Sequence, residues 1–270
     1  MGDKSNFIKR RSKIPLNEFT ETYIDGLGKP VVITDAMENW KAMTKWSFDF
    51  FKTHYGADTV YPRYKIKNTG KSVEIEVKMA DYIDYILSPE SSGLKNLEKK
   101  QALYPLYLYT YMPFSYRTEL LDDFDDVYFV ESWNKFIPRS TTTDFQSGWI
   151  LIGPKGTVTP LHIDYMDTHT WMGQITGRKR CIFFSPEDEP FLYDGKVDPL
   201  DPDLDKYPLF AKATPYEVFL DIGELLFIPR NWWHYVVALE KSITLSCSLI
   251  NASNFQAYLK RIREHLKPSN

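Results

Sequence analysis

Three side chains of this sequence are of the right type to share one metal ion. His162-Ile163-Asp164 is a His-x-Asp pair, and His234 follows 72 residues after His162. On a β-strand, residues i and i+2 point to the same side. The imidazole and the carboxylate therefore converge while Ile163 turns into the opposite layer. Two imidazoles and one carboxylate on one face of an ion form the donor set of non-haem iron(II) sites, with positions left open for further ligands and dioxygen. A lone His-x-Asp occurs by chance, and an isolated strand histidine is more often a satisfied core residue. The surroundings change that balance. Gly156-Thr157-Val158-Thr159-Pro160-Leu161 is a turn feeding a strand, and Gly223-Glu224-Leu225-Leu226-Phe227-Ile228-Pro229 leads through Arg230-Asn231-Trp232-Trp233 to His234. Rivals are few among five histidines. His54 and His265 lie in helix-like polar surroundings. His169, seven residues after His162, falls on the opposite face by strict alternation, which makes it a substrate-contact candidate and a poor ligand.

The elements that must position these groups form one unit in two parts and a tail. Residues 1–145 mix helix and strand and are expected to pack on a barrel. Helices are expected from Pro15 to about Tyr23, over 46–54 with Ser47 as N-cap, and over 78–87, with strands at 31–34, 72–77 and 106–111. Residues 146–250 read as eight short strands, at 149–152, 158–163, 170–175, 180–184, 216–220, 225–228, 235–238 and 243–249. Turn signals such as Gly153-Pro154-Lys155-Gly156 and Asp221-Ile222-Gly223 separate them. That succession implies a jelly roll or double-sheet barrel. Residues 251–270 carry a C-terminal helix whose Phe255, Tyr258, Leu259, Ile262 and Leu266 share an apolar face, suited to the domain itself or to a homodimer partner.

Composition narrows the function classes. Net charge is −3, which gives no global attraction for nucleic acid or an anionic membrane. Lys9-Arg10-Arg11 is the one dense basic cluster, and it reads as a solvated N-terminal tail. The two cysteines, Cys181 and Cys247, lie in strand-like runs without a Cys-x-x-Cys, which argues against a disulfide scaffold or a cysteine-rich zinc site and fits a cytoplasmic protein. No apolar run reaches the length of a bilayer span, and the first residues lack the apolar core of a secretory signal. Asp201, Asp203 and Asp205 alternate like a calcium loop, but the glycine and closing glutamate of such a loop are missing.

The segment from Trp149 to Ser248 resembles the Jumonji-C oxygenases of the cupin superfamily, most closely the branch that holds a protein-lysyl hydroxylase once described as an arginine demethylase. The resemblance rests on Thr159-x-x-His162-Ile163-Asp164, Gly177-Arg178-Lys179-Arg180 and Ile228-Pro229-x-x-Trp232-Trp233-His234. It extends upstream through Lys29-Pro30-Val31-Val32 and Pro105-Leu106-Tyr107. It implies a mainly β fold with flanking helices: a double-stranded β-helix with iron(II) at its open mouth, held by His162, Asp164 and His234. It also implies 2-oxoglutarate as co-substrate. Lys179 matches the lysine that pairs with its distal carboxylate, and Tyr107, Thr159 and Ser246 match hydroxyl donors to the same group. Without the resemblance, Lys179 within Gly-Arg-Lys-Arg reads as a surface lysine. Two positions depart from the pattern: Thr170 and Met172 stand where relatives carry asparagine.

The reaction so implied is hydroxylation of an unactivated C–H of a peptide, protein or amino-acid side chain, with O2 consumed and succinate and CO2 released. Asp164 itself favours hydroxylation, because related iron halogenases replace that carboxylate with a small residue. Alternatives are a small-molecule hydroxylase or N-demethylase of the same mechanism, a cupin enzyme that needs no 2-oxoglutarate, and a non-catalytic cupin binding module. Trp149, Trp171 and Trp232 are candidate substrate walls, each more often core.

Overall fold

The short strands after residue 146 pair into two sheets in the computed structural model, which describes residues 6–66, 69, 71–94, 102–136 and 148–265. Small strands open the chain: β1 (Asn6–Phe7), β2 (Arg10–Arg11) and β3 (Val31–Ile33). Two small pairs follow, β4 (Thr59–Val60) with β7 (Val77–Lys78) and β5 (Arg63–Lys65) with β6 (Ser72–Glu74). Then come β8 (Leu108–Tyr111), β9 (Trp149–Gly153), β10 (Val158–His162), β11 (His169–Thr176), β12 (Lys179–Phe184), β13 (Tyr216–Leu220), β14 (Leu225–Ile228), β15 (Trp233–Ala238) and β16 (Ser242–Leu249). One sheet has the order β1-β13-β12-β15-β10 and the other β2-β3-β14-β11-β16-β9-β8. The eight strands from β9 to β16 divide between them four and four, the layout of a jelly roll.

Side-chain alternation sets which residues meet inside. Met172, Leu226 and Ile228 of one sheet pack against Cys181, Phe183, Val218, Leu220 and Val236 of the other, forming the core between the sheets. The neighbours of opposite parity, Trp171, Leu225 and Phe227, face the N-terminal helical layer instead. Both faces of this sheet are therefore covered, which is why β14 is an unbroken apolar run, Leu225-Leu226-Phe227-Ile228. The outer face of the first sheet buries Leu161, Ile182, Phe184, Trp233 and Tyr235. The same parity puts Lys179, Thr170, His234 and Ser246 on the inner faces, where a mouth of the barrel turns polar.

The N-terminal layer is fastened through helix Met79–Leu87, whose Tyr82 hydroxyl donates to the Ile152 carbonyl at 2.8 Å and accepts from the Leu108 amide at 3.0 Å. Helix Phe48–Tyr55 is capped by Ser47, which accepts from the Phe50 amide at 3.0 Å. The C-terminal helix Phe255–His265 packs on its own domain: Tyr258 is buried, and Phe255 meets Trp133 edge-on.

Three expectations are corrected. Arg10 and Arg11 are not a solvated tail. They form β2, parallel to β3, and the Arg10 guanidinium pairs with Glu224 at 2.7 Å and donates to the Phe219 carbonyl at 2.7 Å. That strand forms through a partner elsewhere in the chain, which local charge pattern does not reveal. Residues 72–77 are not one strand: Ser72–Glu74 pairs with β5 and Val77–Lys78 with β4. The strand expected from 235, with His234 at its start, begins at Trp233, so His234 is its second residue.

Candidate metal centre

His162 closes β10 and His234 is the second residue of β15, and these strands pair with His162 opposite His234. The ladder shifts register between Thr159 and His162, across Pro160. Proline has no amide hydrogen to give a ladder, so a bulge there is expected, and it re-aims the strand end. Asp164 lies just past the strand with extended backbone, φ −65° and ψ 145°. Its Oδ1 is 3.8 Å from His162 Nε2 and 3.7 Å from His234 Nε2. Donors each about 2.1 Å from a common ion lie no more than about 4.2 Å apart, so both separations fit one ion. Among the described residues, this is the one group of three or more His, Cys, Asp or Glu side chains clustered closely enough to hold one.

Both imidazoles are oriented in the same way. Nδ1 of His162 donates to the Pro160 carbonyl at 2.8 Å, and Nδ1 of His234 to the Trp232 carbonyl at 3.0 Å. A carbonyl can only accept, so each Nδ1 carries the proton and each Nε2 lone pair points to the cluster. Phe183 stacks on His234, with ring centroids 5.9 Å apart. Burial and the adjacent His234 lower the His162 pKa to about 4, against the opposing pull of Asp164. The 37% exposure of its side chain tempers that effect, and the ring is neutral, as a ligand must be, at ordinary pH.

Behind Asp164 the chain turns through Met166 and Asp167, both left-handed at φ 68° and 54°. Side chains other than glycine seldom adopt that region. The C-terminal helix braces the turn: Arg261 pairs with the Asp167 carboxylate at 2.7 Å, and Asn254 donates to its carbonyl at 3.2 Å.

The three donors open into a cavity of about 580 Å³ that also reaches Lys179, Tyr107, Thr159, Thr170, Met172 and Ser246. That volume lies within the range of small-ligand sites. Lys179 is 1% exposed and donates to the Tyr107 hydroxyl at 3.2 Å. Among the described residues no carboxylate forms an ion pair with it. Burial therefore pulls its pKa down from 10.5 to about 8. Burial also raises the Tyr107 phenol, with Thr159 acting against that shift. Ser246 donates to the Trp171 carbonyl at 3.1 Å, so in this arrangement it meets the cavity as an acceptor rather than the expected donor. Among the described residues, the Thr170 hydroxyl is buried with no hydrogen-bond partner. A buried ammonium without an anion and an unsatisfied buried hydroxyl are both costly. An anion bound in this cavity would relieve both, so the donor set fits a carboxylate ligand reaching from Lys179 toward the triad.

The motif residues His162, Asp164, His234, Lys179, Tyr107, Thr159 and Ser246 thus all line one cavity. The Thr170 hydroxyl was legible only as a departure. The available signal was its parity with Met172, which puts it on an inner face of β11. His169 is not at the cavity. It is 1% exposed, accepts from the Arg230 amide at Nδ1 (3.1 Å) and bonds Ser253 through Nε2 (2.9 Å), so it is a structural residue and not a substrate contact. Trp171 and Trp232 are buried in the core clusters, whereas Trp149 lines the cavity. A second cavity of about 280 Å³ shares Trp149, His162 and Asp164 with the first.

Comparison with known proteins agrees with this architecture. The cupin-like domain family matches residues 16–248. The chain is 27% identical to lysine-specific demethylase JMJ21 of Arabidopsis thaliana, over 92% of this chain and 26% of that protein. It is 25% identical to arginine-specific demethylase JMJ20 of the same plant, over 90% of this chain and 56% of that one. It is 28% identical to HSPB1-associated protein 1 of Rattus norvegicus, over 83% and 49% respectively. The chain thus spans between about a quarter and just over half the length of these relatives.

Proposed function

The chain belongs to the cupin-like domain family, and on that premise we propose that it is an iron(II)- and 2-oxoglutarate-dependent oxygenase acting on a C–H bond of a peptide, protein or amino-acid side chain. The observation that carries this reading is the pairing, across one cavity, of a buried Lys179 that lacks an anion with the His162, Asp164 and His234 cluster. His162, Asp164 and His234 would hold the iron. Lys179 would take the distal carboxylate of 2-oxoglutarate, aided by Tyr107 and Thr159. The Thr170 hydroxyl would donate to the same ligand, and Ser246 would do so after rotating away from the Trp171 carbonyl.

When bound, iron with 2-oxoglutarate supplies the oxidising power for the reaction. The overall conversion balances as substrate C–H, O2 and 2-oxoglutarate giving C–OH, succinate and CO2. One oxygen atom enters the new hydroxyl and the other the succinate carboxylate. The protein's own work is orientation and exclusion of water. The carbonyls of Pro160 and Trp232 keep both imidazoles in the ligating tautomer. Lys179 and its hydroxyl neighbours would fix one end of the co-substrate. The apolar walls, Leu151, Val236, Ile228 and Met172, would help exclude water between those ends. Two relatives are named lysine- and arginine-specific demethylases. Removal of an N-methyl group begins as hydroxylation of its C–H, so the same constellation would serve either outcome.

The test is succinate formation from 2-oxoglutarate with iron(II) and ascorbate. Wild type is expected to form succinate even without substrate, and His162→Ala and Asp164→Ala to fall to background. A wild-type rate no greater than that of the two variants would sink the oxygenase reading.

A further inference from the structure

We infer that the smaller cavity receives an uncharged, apolar side chain of the substrate, so that the carbon presented to the triad belongs to an aliphatic or aromatic group rather than to a lysine or arginine. This rests on the oxygenase reading above and adds the substrate class to it. The cavity is contiguous with the triad, since His162 and Asp164 form part of its wall. Its volume, about 280 Å³, is at the lower edge of small-ligand sites and is enough for one side chain. Lys179 lines the larger cavity and not this one, and the walls common to both are Trp149, His162 and Asp164, so an occupant here would meet the triad without touching the buried ammonium.

The wall chemistry selects the occupant. Trp149, Ile163, Tyr165, Met166, Ile250 and Tyr258 supply most of the lining. Two of the neutral polar groups there are engaged with the protein: Asn134 donates to the Ser248 carbonyl at 2.6 Å, and Thr168 to the Tyr165 carbonyl at 3.2 Å. Among the described residues, Asp164 is the one carboxylate in the lining, and it already faces two imidazoles at 3.7 and 3.8 Å. A buried ammonium or guanidinium would find no free anion. The aromatic faces return less through cation–π contact than desolvating an unpaired ion costs. An apolar side chain meets no such penalty and buries the exposed faces of Ile163 and Tyr165.

The experiment uses the whole chain loaded with manganese(II) and 2-oxoglutarate, with N-acetyl-leucine amide and N-acetyl-lysine amide as probes. Paramagnetic broadening of each probe's side-chain protons reports binding beside the triad. Saturable broadening of the leucine methyl protons is expected, at an apparent affinity at least about tenfold tighter than for lysine. Ile163→Glu is expected to reverse that order. Tyr165→Glu, at a more exposed position, is the second variant should the first misfold. Lysine binding as tightly as leucine, no saturable broadening by either probe, or an unchanged order in the folded variants would each overturn the inference. Failure of manganese itself to bind, read from unchanged water-proton relaxation, would instead strike the parent reading and remove this one with it.

Discussion

Lys179 holds its charge in the interior at a cost. Its stem lies on the same face of β12 as Cys181 and Phe183, and its ammonium meets a phenol rather than a carboxylate. A charge-assisted contact is worth about 2 kcal/mol, or roughly thirtyfold in affinity. Lys179→Ala is therefore expected to raise the half-saturating concentration of 2-oxoglutarate by roughly that factor while metal affinity is kept. Unchanged co-substrate dependence would remove Lys179 from the site. His169 carries a different consequence. Burial, reinforced by Arg230, lowers its pKa from 6.5 to about 4. The unfolded chain binds the proton first, so stability is full above pH about 6.5 and falls as the pH drops toward about 4. The loss from this one group is at most roughly 3 kcal/mol at the acid end. Urea midpoints across that range should fall less steeply in His169→Gln than in wild type, and parallel slopes would refute the assignment.

Among the elements, β10 and β15 do the positioning, and their flanks keep them true. Bulging at Pro160 turns the end of β10, and the C-terminal helix steadies the left-handed turn after Asp164 through Arg261 and Asn254. Farther away, helix Phe48–Tyr55 depends on its cap. Ser47→Ala leaves the Phe50 amide without its side-chain acceptor and is expected to destabilise the fold by about 1 kcal/mol. Denaturant unfolding would read this as a lower midpoint at constant slope, with no change in 2-oxoglutarate dependence. An unaltered midpoint would show that the cap contributes nothing.

For the molecule as a whole, metal and co-substrate would, on the proposed function, act as ligands of the native state alone, because the metal donors come from β10, the turn after it and β15. Manganese(II) with 2-oxoglutarate, each at about a hundred times its dissociation constant, should stabilise the fold by roughly 2.7 kcal/mol per ligand. Thermal unfolding is expected to shift upward with both present, and much less in Asp164→Ala. A chelator should reverse the shift. Equal shifts in wild type and variant would place the metal elsewhere. No helix of the described residues is long and apolar enough to cross a membrane.

Local sequence determined the parts that depend on near neighbours. Strand periodicity and turn residues were enough to expect all eight strands from β9 to β16. Alternation brought His162 and Asp164 to one side, and Ser47 marked a helix start. What it could not carry were pairings over long separations. Arg10 and Arg11 become a strand because Val32, Ile33 and Glu224 lie beside them. Lys179 is buried because its strand parity faces a barrel interior that exists only once both sheets close, although Gly-Arg-Lys-Arg read locally is a surface turn. The unpartnered Thr170 hydroxyl and the apolar cavity beside Trp149 belong to the same class. Each is a space or an unmet bond between elements distant in sequence, and such features arise from packing, which no single segment encodes.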